Sequence, residues 1–353
     1  MYRQLVESTD NWLDEHASHQ DVVVSSRIRL ARNLTRIPFA VKAKNDELAK
    51  VADIISSLVE SEKRFDNLTT ISLDTTGVIE RKYLKESRII SPEMERGGKH
   101  RLVYITPTSS VTILVNEEDH IRLQGLGAGL QLDKIMNTIL EVDDIIIEKL
   151  PVAFSSQFGF LTACPSNIGT GLRISVMLHL PGLVKSGKIQ EIIESLQPRG
   201  MIVRGFNGEH SEFMGDLYQV SNEFSLGKTE EEIVSELSEV AENIVKQEVQ
   251  TRQKLFSDLG PVMEDIVWRA FGALTHARLM STEEAMTLLS RIRMGIDRGF
   301  FTNIDHYKLN KLIIEIQPAH MEYRGTDMEG GTGRDLARAT FLRNYFQIPV
   351  SRN

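Results

Sequence analysis

Five arginines stand beside short apolar runs or turns: Arg27 and Arg29 in SSRIR, Arg122 in NEEDHIR, Arg173 in GTGLR and Arg204 in RGFNGEH. A guanidinium is a rigid fork of donors that matches phosphate oxygens two at a time. Taken singly, each is an ordinary solvated arginine. Converging, they would hold a polyphosphate and neutralise the charge on a transferring phosphoryl group. Their acidic counterpart is NEEDH, residues 116–120, directly after the apolar run VTILV, where Glu117, Glu118 and Asp119 set three carboxylates in a row. Alone, that is a charged turn. A second acidic set, Glu209 and Glu212, lies just after Arg204. Paired carboxylates grip and orient a planar guanidinium, and one of them can take its proton at the moment of attack. Acids facing an arginine-lined pocket therefore suit phosphoryl transfer to a cationic acceptor.

Rival motifs fail on inspection. GLVKSGKI, residues 182–189, has the spacing of a phosphate-binding P-loop, but Ile189 stands where a Ser or Thr should ligate the metal. GLGAG, residues 125–129, is not GxGxxG and opens no clear strand-to-helix unit. His16 and His19 lack a third ligand nearby. Cys164, followed by Pro165, reads on its own as a small buried hydrophobe.

The elements that must position these residues alternate in type. Val22–Val24 reads as a strand opening into a Ser- and Arg-dense loop. From Asn45, apolar residues Leu48, Val51, Ile54, Ile55 and Leu58 recur at helical spacing. LVYIT, VTILV and LRISVMLHL read as strands, with a helix LDKIMNTILEVDDIIIEKL between the second and third, which is the pattern of an α+β sheet with helices on it. TEEE supplies a capping box from Thr229 to Glu232 ahead of another helix. After Gly260-Pro261 the chain reads as almost wholly helical, ending in a helix from Arg334 that follows a glycine-rich loop over residues 325–335. The expected division is a short N-terminal segment, 1–20, a catalytic domain, 21–255, and an all-α domain, 256–353.

The whole chain bounds these readings. Its 353 residues, 41% hydrophobic and 25% charged, can bury a core. A net charge of −8 argues against a surface built to neutralise nucleic acid, so an anion must be held locally. The single cysteine excludes an intrachain disulfide and a zinc finger and fits a reducing cytoplasm. No run is long and apolar enough for a membrane span, and acids at the N-terminus argue against a signal peptide, so a cytoplasmic protein without membrane partners is expected.

SSRIRLARN, VNEEDHIRLQ, CPSNIGTGLR and RGFNGEHSEFMGDLYQVSN occur in the order and at the spacing of the phosphagen (guanidino) kinases, and over about residues 20–250 the chain resembles that family. The resemblance implies the family's fold, an antiparallel sheet flanked by helices and like the glutamine synthetase catalytic domain. It implies ATP as phosphoryl donor, with Mg²⁺ carried by the nucleotide and no protein metal site. By position, Ser25, Ser26, Arg27, Ile28 and Arg29 resemble the first nucleotide-phosphate segment, and Arg122, Arg173 and Arg204 the remaining phosphate arginines. Ile174, Ser175, Val176 and Met177, and likewise Gly205, Phe206, Asn207, Gly208 and Glu209, resemble two further nucleotide-contacting strips. Glu118 matches the catalytic carboxylate, with Glu117, Asp119 and Glu209 as companions that hold the acceptor. Cys164 matches a cysteine near the guanidino group that tunes the site more than it attacks.

Departures from the family sharpen the expectation. Its small-molecule members carry a helical domain of roughly a hundred residues before the SSRxR segment, where about 20 precede it here, so an arginine still attached to a polypeptide could enter. Arg88 and Met177 stand where creatine kinase has histidines near the base, and both are placed with the nucleotide contacts. GGTGRDLARA, residues 330–339, resembles the phosphoarginine receptor motif of the family's bacterial protein arginine kinase branch. It comprises Arg334, Asp335, Leu336, Ala337, Arg338 and Ala339. A helix N-terminus favours an anion, and Arg334 and Arg338 lie one turn apart, available for phosphate. That branch implies a homodimer or larger assembly, phosphoarginine as allosteric ligand, and stress-response partners: the activator McsA, the repressor CtsR and a Clp unfoldase or protease. The alternatives are a free-arginine phosphagen kinase and a non-catalytic adaptor that binds phosphoarginine.

Overall fold

A computed structural model describes residues 11–13, 16–206, 213–324 and 330–346 of the chain. The first strand, β1 (Val23–Arg32), corrects the sequence expectation of a loop after Val24. Ser26, Ile28 and Leu30 are buried, while Ser25, Arg27 and Arg29 between them are half-buried. That is strand periodicity, with the two arginines on one face. The Ser/Arg-rich composition hid it because only every second residue is apolar.

Next come α1 (Asn45–Ser61), β2 (Thr69–Ser72), α2 (Val78–Glu86), α3 (Pro92–Glu95), β3 (Leu102–Ile105), β4 (Val111–Val115) and β5 (Ile121–Ala128). Helix α4 (Leu132–Lys149) follows, then a small hairpin of β6 (Phe154–Ser155) and β7 (Gly159–Phe160). The sequence continues through β8 (Leu172–His179), α5 (Pro181–Lys185), α6 (Ile189–Leu196), β9 (Met201–Arg204), β10 (Leu217–Asn222) and α7 (Glu230–Asp258). The main sheet runs β2-β3-β4-β5-β1-β8-β10-β9. From β2 to β5 each neighbouring pair is antiparallel, with Leu114 of β4 opposite Arg122 of β5. The antiparallel sheet with flanking helices is the arrangement expected from the sequence.

Helix α4 covers one face of β5, burying its stripe of Leu132, Ile135, Met136, Ile139 and Ile146. A Cβ on Gly125 of β5 would fall 2.3 Å from Ile135 Cγ2, so only glycine admits the helix this close. Side-chain alternation puts Arg122 on the opposite face of that strand from Gly125. Asp143 also lies on the buried stripe of α4 and pairs with Arg32 at the end of β1, at 2.6 and 3.0 Å. The guanidinium of Arg32 lies 3.5 Å from the centre of the Phe160 ring.

The remaining helices are α8 (Gly260–His276), α9 (Thr282–Ile296), α10 (His306–Glu315), α11 (Pro318–Arg324) and α12 (Gly330–Phe346). Ser281 Oγ caps α9 by accepting from Glu284 N at 3.1 Å, and Asp305 caps α10 by accepting from Lys308 N at 2.8 Å. The capping box read at Thr229 is formed, its hydroxyl accepting from Glu232 N while Glu232 accepts from Thr229 N. Residues 330–333 (GGTG), expected in a loop, are the first turn of α12, a correction that lengthens the last helix. Burial of Gly333 on the same helix as Ala339, Leu342 and Phe346 outweighs the poor helix propensity of glycine.

The chain divides into two compact units: one of Met1–Glu15, Ser26–Ser175 and Ser221–Glu239, the other of His16–Ser25, Val176–Val220 and Val240–Asn353. The second is organised around Arg252, which donates to Glu248 Oε1, Asp297 Oδ2 and the carbonyl of His179. Glu248 in turn accepts from the amides of Gly182 and Leu183 at the start of α5. No helix among the described residues is long and apolar enough to cross a membrane.

Candidate active site

The first unit brings three of the five arginines to one place. Arg29 from β1, Arg122 from β5 and Arg173 from β8 line a small cleft together with Ala31, Asn167 and Gly171. Gly171, at φ +74°, would place a Cβ 2.6 Å from Ala31 O and 2.5 Å from Arg32 Nη1, so a side chain there would collide with β1.

The cluster carries a strong positive field. Burial, followed by the charges of Arg27, Arg122 and Arg173, pushes the Arg29 guanidinium well below the usual arginine range, and only Glu117 opposes them. Its Nε is buried without a hydrogen-bond partner. Desolvated, mutually repelling guanidinium groups around a cavity fit a polyanion, whose oxygens would satisfy donors and relieve repulsion together.

NEEDH forms the tight turn between β4 and β5, closed by a hydrogen bond from Asn116 N to His120 O at 2.9 Å. Asn116 has φ +57°, a conformation asparagine tolerates better than most residues. The three acids of this turn have different surroundings. Glu117 is fully buried and grips Arg122 Nη1 with both oxygens, at 2.5 and 2.6 Å. Glu118 meets Arg122 Nη2 at 3.1 Å and keeps 34% of its side chain exposed, so it alone of the three can reach an incoming molecule. Burial raises its carboxyl above the usual range, with Arg122 pulling the other way. Asp119 is fully buried: its Oδ1 accepts from Asn33 Nδ2 at 2.6 Å and Ala163 N at 2.7 Å. Burial raises its carboxyl too, against the pull of those two donors. For Arg122, burial works against the charge, but the acids, Glu117 foremost, hold it above the ordinary arginine value.

Cys164 is half-buried, with Sγ 3.1 Å from Ser166 Oγ, on the loop that carries Asn167. Arg88, at φ +67°, follows α2, and burial lowers its guanidinium to about 10. Ser26 Oγ donates to Gly129 O at 2.7 Å, and Ile28 is buried in β1. Ile174 and Ser175 continue β8, with Ile174 N held by Asn222 Oδ1 at 2.8 Å. Ser25, Val176, Met177, Arg204, Gly205 and Phe206 belong to the second unit, Arg204 closing β9. Asn207, Gly208, Glu209 and Glu212 lie outside the described residues. Sequence reasoning missed Asn33, Asn116 and His120. All three stand inside the quoted motifs, but asparagine and histidine in a turn carry no charge pattern to single them out.

In α12 the two motif arginines differ. Arg338, expected to be available for phosphate, is buried and donates to Ile316 O, Met280 O and Asp335 Oδ1, each at 2.8 Å. Arg334 is partly exposed, 3.8 Å from Glu322 Oε2. Leu336 and Ala337 are half-buried and Ala339 is buried.

A cleft of strand-borne arginines beside a partly exposed glutamate, on a mainly antiparallel sheet, fits the chemistry of phosphoryl transfer to a cationic acceptor. Residues 50–251 match the ATP:guanido phosphotransferase C-terminal catalytic domain, and the chain belongs to that family of kinases. Residues 261–353 match the C-terminal domain of the protein-arginine kinase McsB. The chain is 40% identical over 333 residues to the protein-arginine kinase of Halothermothrix orenii, covering 94% of this chain and 95% of that one. It is 38% identical over 347 residues to that of Symbiobacterium thermophilum, covering 97% and 98%. Among solved structures it is similar to the duplicated taurocyamine kinase of Schistosoma mansoni with bound transition-state analogue components. There the TM-score is 0.60 at 25% identity over 67% of this chain and 35% of that one. Lombricine kinase shares the fold, with a TM-score of 0.58 at 24% identity over 67% of this chain and 69% of that one.

Proposed function

We propose that the chain transfers the γ-phosphoryl group of ATP to arginine side chains of proteins. The observation that carries this reading is the contact of the two halves of the site at Arg122, which lines the anion cleft while it anchors Glu117 and Glu118. The triphosphate would lie along Arg29, Arg122 and Arg173, with Mg²⁺ travelling on the nucleotide. Magnesium bound to the phosphate oxygens would offset the charge that builds on the departing ADP. Glu118 orients the acceptor guanidinium and takes the proton its nitrogen sheds as it attacks in line. A P–N bond forms, the bond from the γ-phosphorus to the bridging oxygen breaks, and ADP leaves. Glu117 is spent on Arg122 and holds that guanidinium in place. Catalysis rests on positioning and charge neutralisation, with no covalent enzyme intermediate.

Near full-length similarity to protein-arginine kinases supports a protein substrate over free arginine. The helical region from residue 256 serves in this reading for self-association into a dimer or larger assembly. Its last helix reads phosphoarginine, with Arg334 the more accessible guanidinium. Cytoplasmic work in a stress response, with McsA, CtsR and a Clp protease as partners, completes the proposal.

The test is transfer from labelled ATP with Mg²⁺ to an unfolded basic protein and, separately, to free arginine. Acid-labile label on the protein is expected, because a P–N bond hydrolyses where a serine phosphate survives. Label on free arginine alone would make the chain a phosphagen kinase, and nucleotide binding without transfer to either would make it an adaptor.

A further inference from the structure

The turn that bears Glu118 is held from outside by one residue the motif chemistry does not use. Asn33, directly after β1, is fully buried, and its carboxamide meets two other segments of the site. Nδ2 donates to Asp119 Oδ1 at 2.6 Å and to Leu161 O at 3.0 Å, while Oδ1 accepts from His120 N at 2.9 Å. Its backbone carbonyl accepts from Ala153 N at 2.7 Å, and the next amide, Leu34 N, donates to His120 Nδ1 at 3.0 Å. The second segment is tied back in turn, because Ala163 N donates to the same Asp119 oxygen.

We propose that Asn33 is a positioning residue for the transfer, its carboxamide locking the acid turn 116–120 to segment 161–164 and so fixing where Glu118 stands. This rests on the kinase reading above. An amide suits the place because it alone among side chains of this size offers a donor pair and an acceptor without charge. A carboxylate would set two anions side by side, and an aliphatic group would strand His120 N–H and deprive buried Asp119 of a donor. Glu118 is the immediate neighbour of Asp119, and a displacement of about 1 Å in a reacting group is enough to lower a rate about a hundredfold. The charged groups around Asp119 are Glu117, Glu118 and Arg122, with His120 adjoining and held towards its neutral form by burial. None of them donates to Asp119 Oδ1, so the link to Asn33 is not duplicated by a charged partner.

The experiment compares N33D and N33A with wild type in steady-state transfer from ATP to an unfolded arginine-rich protein, with ADP affinity measured by calorimetry. N33D keeps the size and the acceptor for His120 N but removes both donors. In both variants kcat should fall by about tenfold to a hundredfold, while KM for ATP and ADP affinity stay at wild-type values. As pH falls, a proton shared between the introduced carboxyl and Asp119 restores the missing donor. The ratio of N33D to wild-type kcat should therefore rise towards acid, and that of N33A should not. Wild-type kcat in both variants, loss of ADP affinity in step with kcat, or a pH-independent N33D ratio would each overturn the proposal. Should N33D fail to fold, N33S carries the same comparison of kcat against ADP affinity. An inactive wild type would overturn the kinase reading and this proposal together, whereas an active wild type with unaffected variants overturns this proposal alone.

Discussion

At the scale of single residues, environment divides three adjacent acids into three tasks. Glu117 is buried against Arg122, Asp119 is buried against Asn33 and Ala163, and Glu118 keeps an exposed edge. Replacing Glu118 with Gln keeps its shape but removes the proton acceptor. The expected outcome is a fall in kcat of about 10²–10⁴ with ADP affinity retained, checked by single-turnover transfer and calorimetry. The carboxyl of Glu118 is raised above 4.5 by burial, and it must be ionised to take a proton. The wild-type kcat–pH profile should therefore lose activity towards acid at a pH above 4.5, the ordinary value for this group. The same shift acts on stability with the opposite sense. The folded state binds that proton more tightly than the unfolded chain, so the contribution favours folding at low pH and is lost as pH rises through the folded value. Thermal melts of wild type and E118Q across the acid range would show it as a difference between the two.

At the scale of elements, the site depends on strands delivered at fixed depth. Arg32 and Asp143 join the end of β1 to α4 as a buried, bidentate pair, each almost fully removed from water. Removing one partner leaves a buried charge, so D143A should lose about 3–5 kcal/mol of stability. Replacing both by apolar residues of like size, R32M with D143L, should recover only part of the loss, as read by urea denaturation, because Arg32 Nη1 also serves the carbonyls of Ala31 and Thr170. Gly125 offers a second test of the same packing. A methyl there meets Ile135 and Ile139 of α4, so G125A should lower the melting temperature. Shortening Ile135 in the same chain should restore part of it.

At the scale of the whole molecule, two arginines that look alike in RDLAR have different burdens. Arg338 satisfies the carbonyls of Ile316 and Met280, and so ties α12 to the segments before α9 and after α10. R338A strands those buried acceptors and should cost about 1–3 kcal/mol of stability. R334A removes only a partly exposed, long-range pair and should leave the melt nearly unchanged. If α12 reads phosphoarginine, R334A should flatten the response of kinase activity to added phosphoarginine while the basal rate holds. An unchanged response would return Arg334 to a solvated helix face.

Much of the site is legible in the residues themselves. Guanidinium groups and carboxylates declare their chemistry by type, and NEEDH is legible as a strand end because VTILV before it is rich in β-branched residues and apolar but for Thr112. Helix stripes and caps are equally local, so α4, α9 and the capping box at Thr229 follow from spacing alone. The strand character of SSRIRLAR is less legible, because its alternation shows only once the buried face is known. What tertiary structure alone decided is burial and partnership. It made Glu118 the exposed acid, committed Arg338 to backbone carbonyls and set Asn33 between two segments more than eighty residues away in sequence. Those outcomes depend on long-range contacts and desolvation, which residue types and spacing do not encode locally.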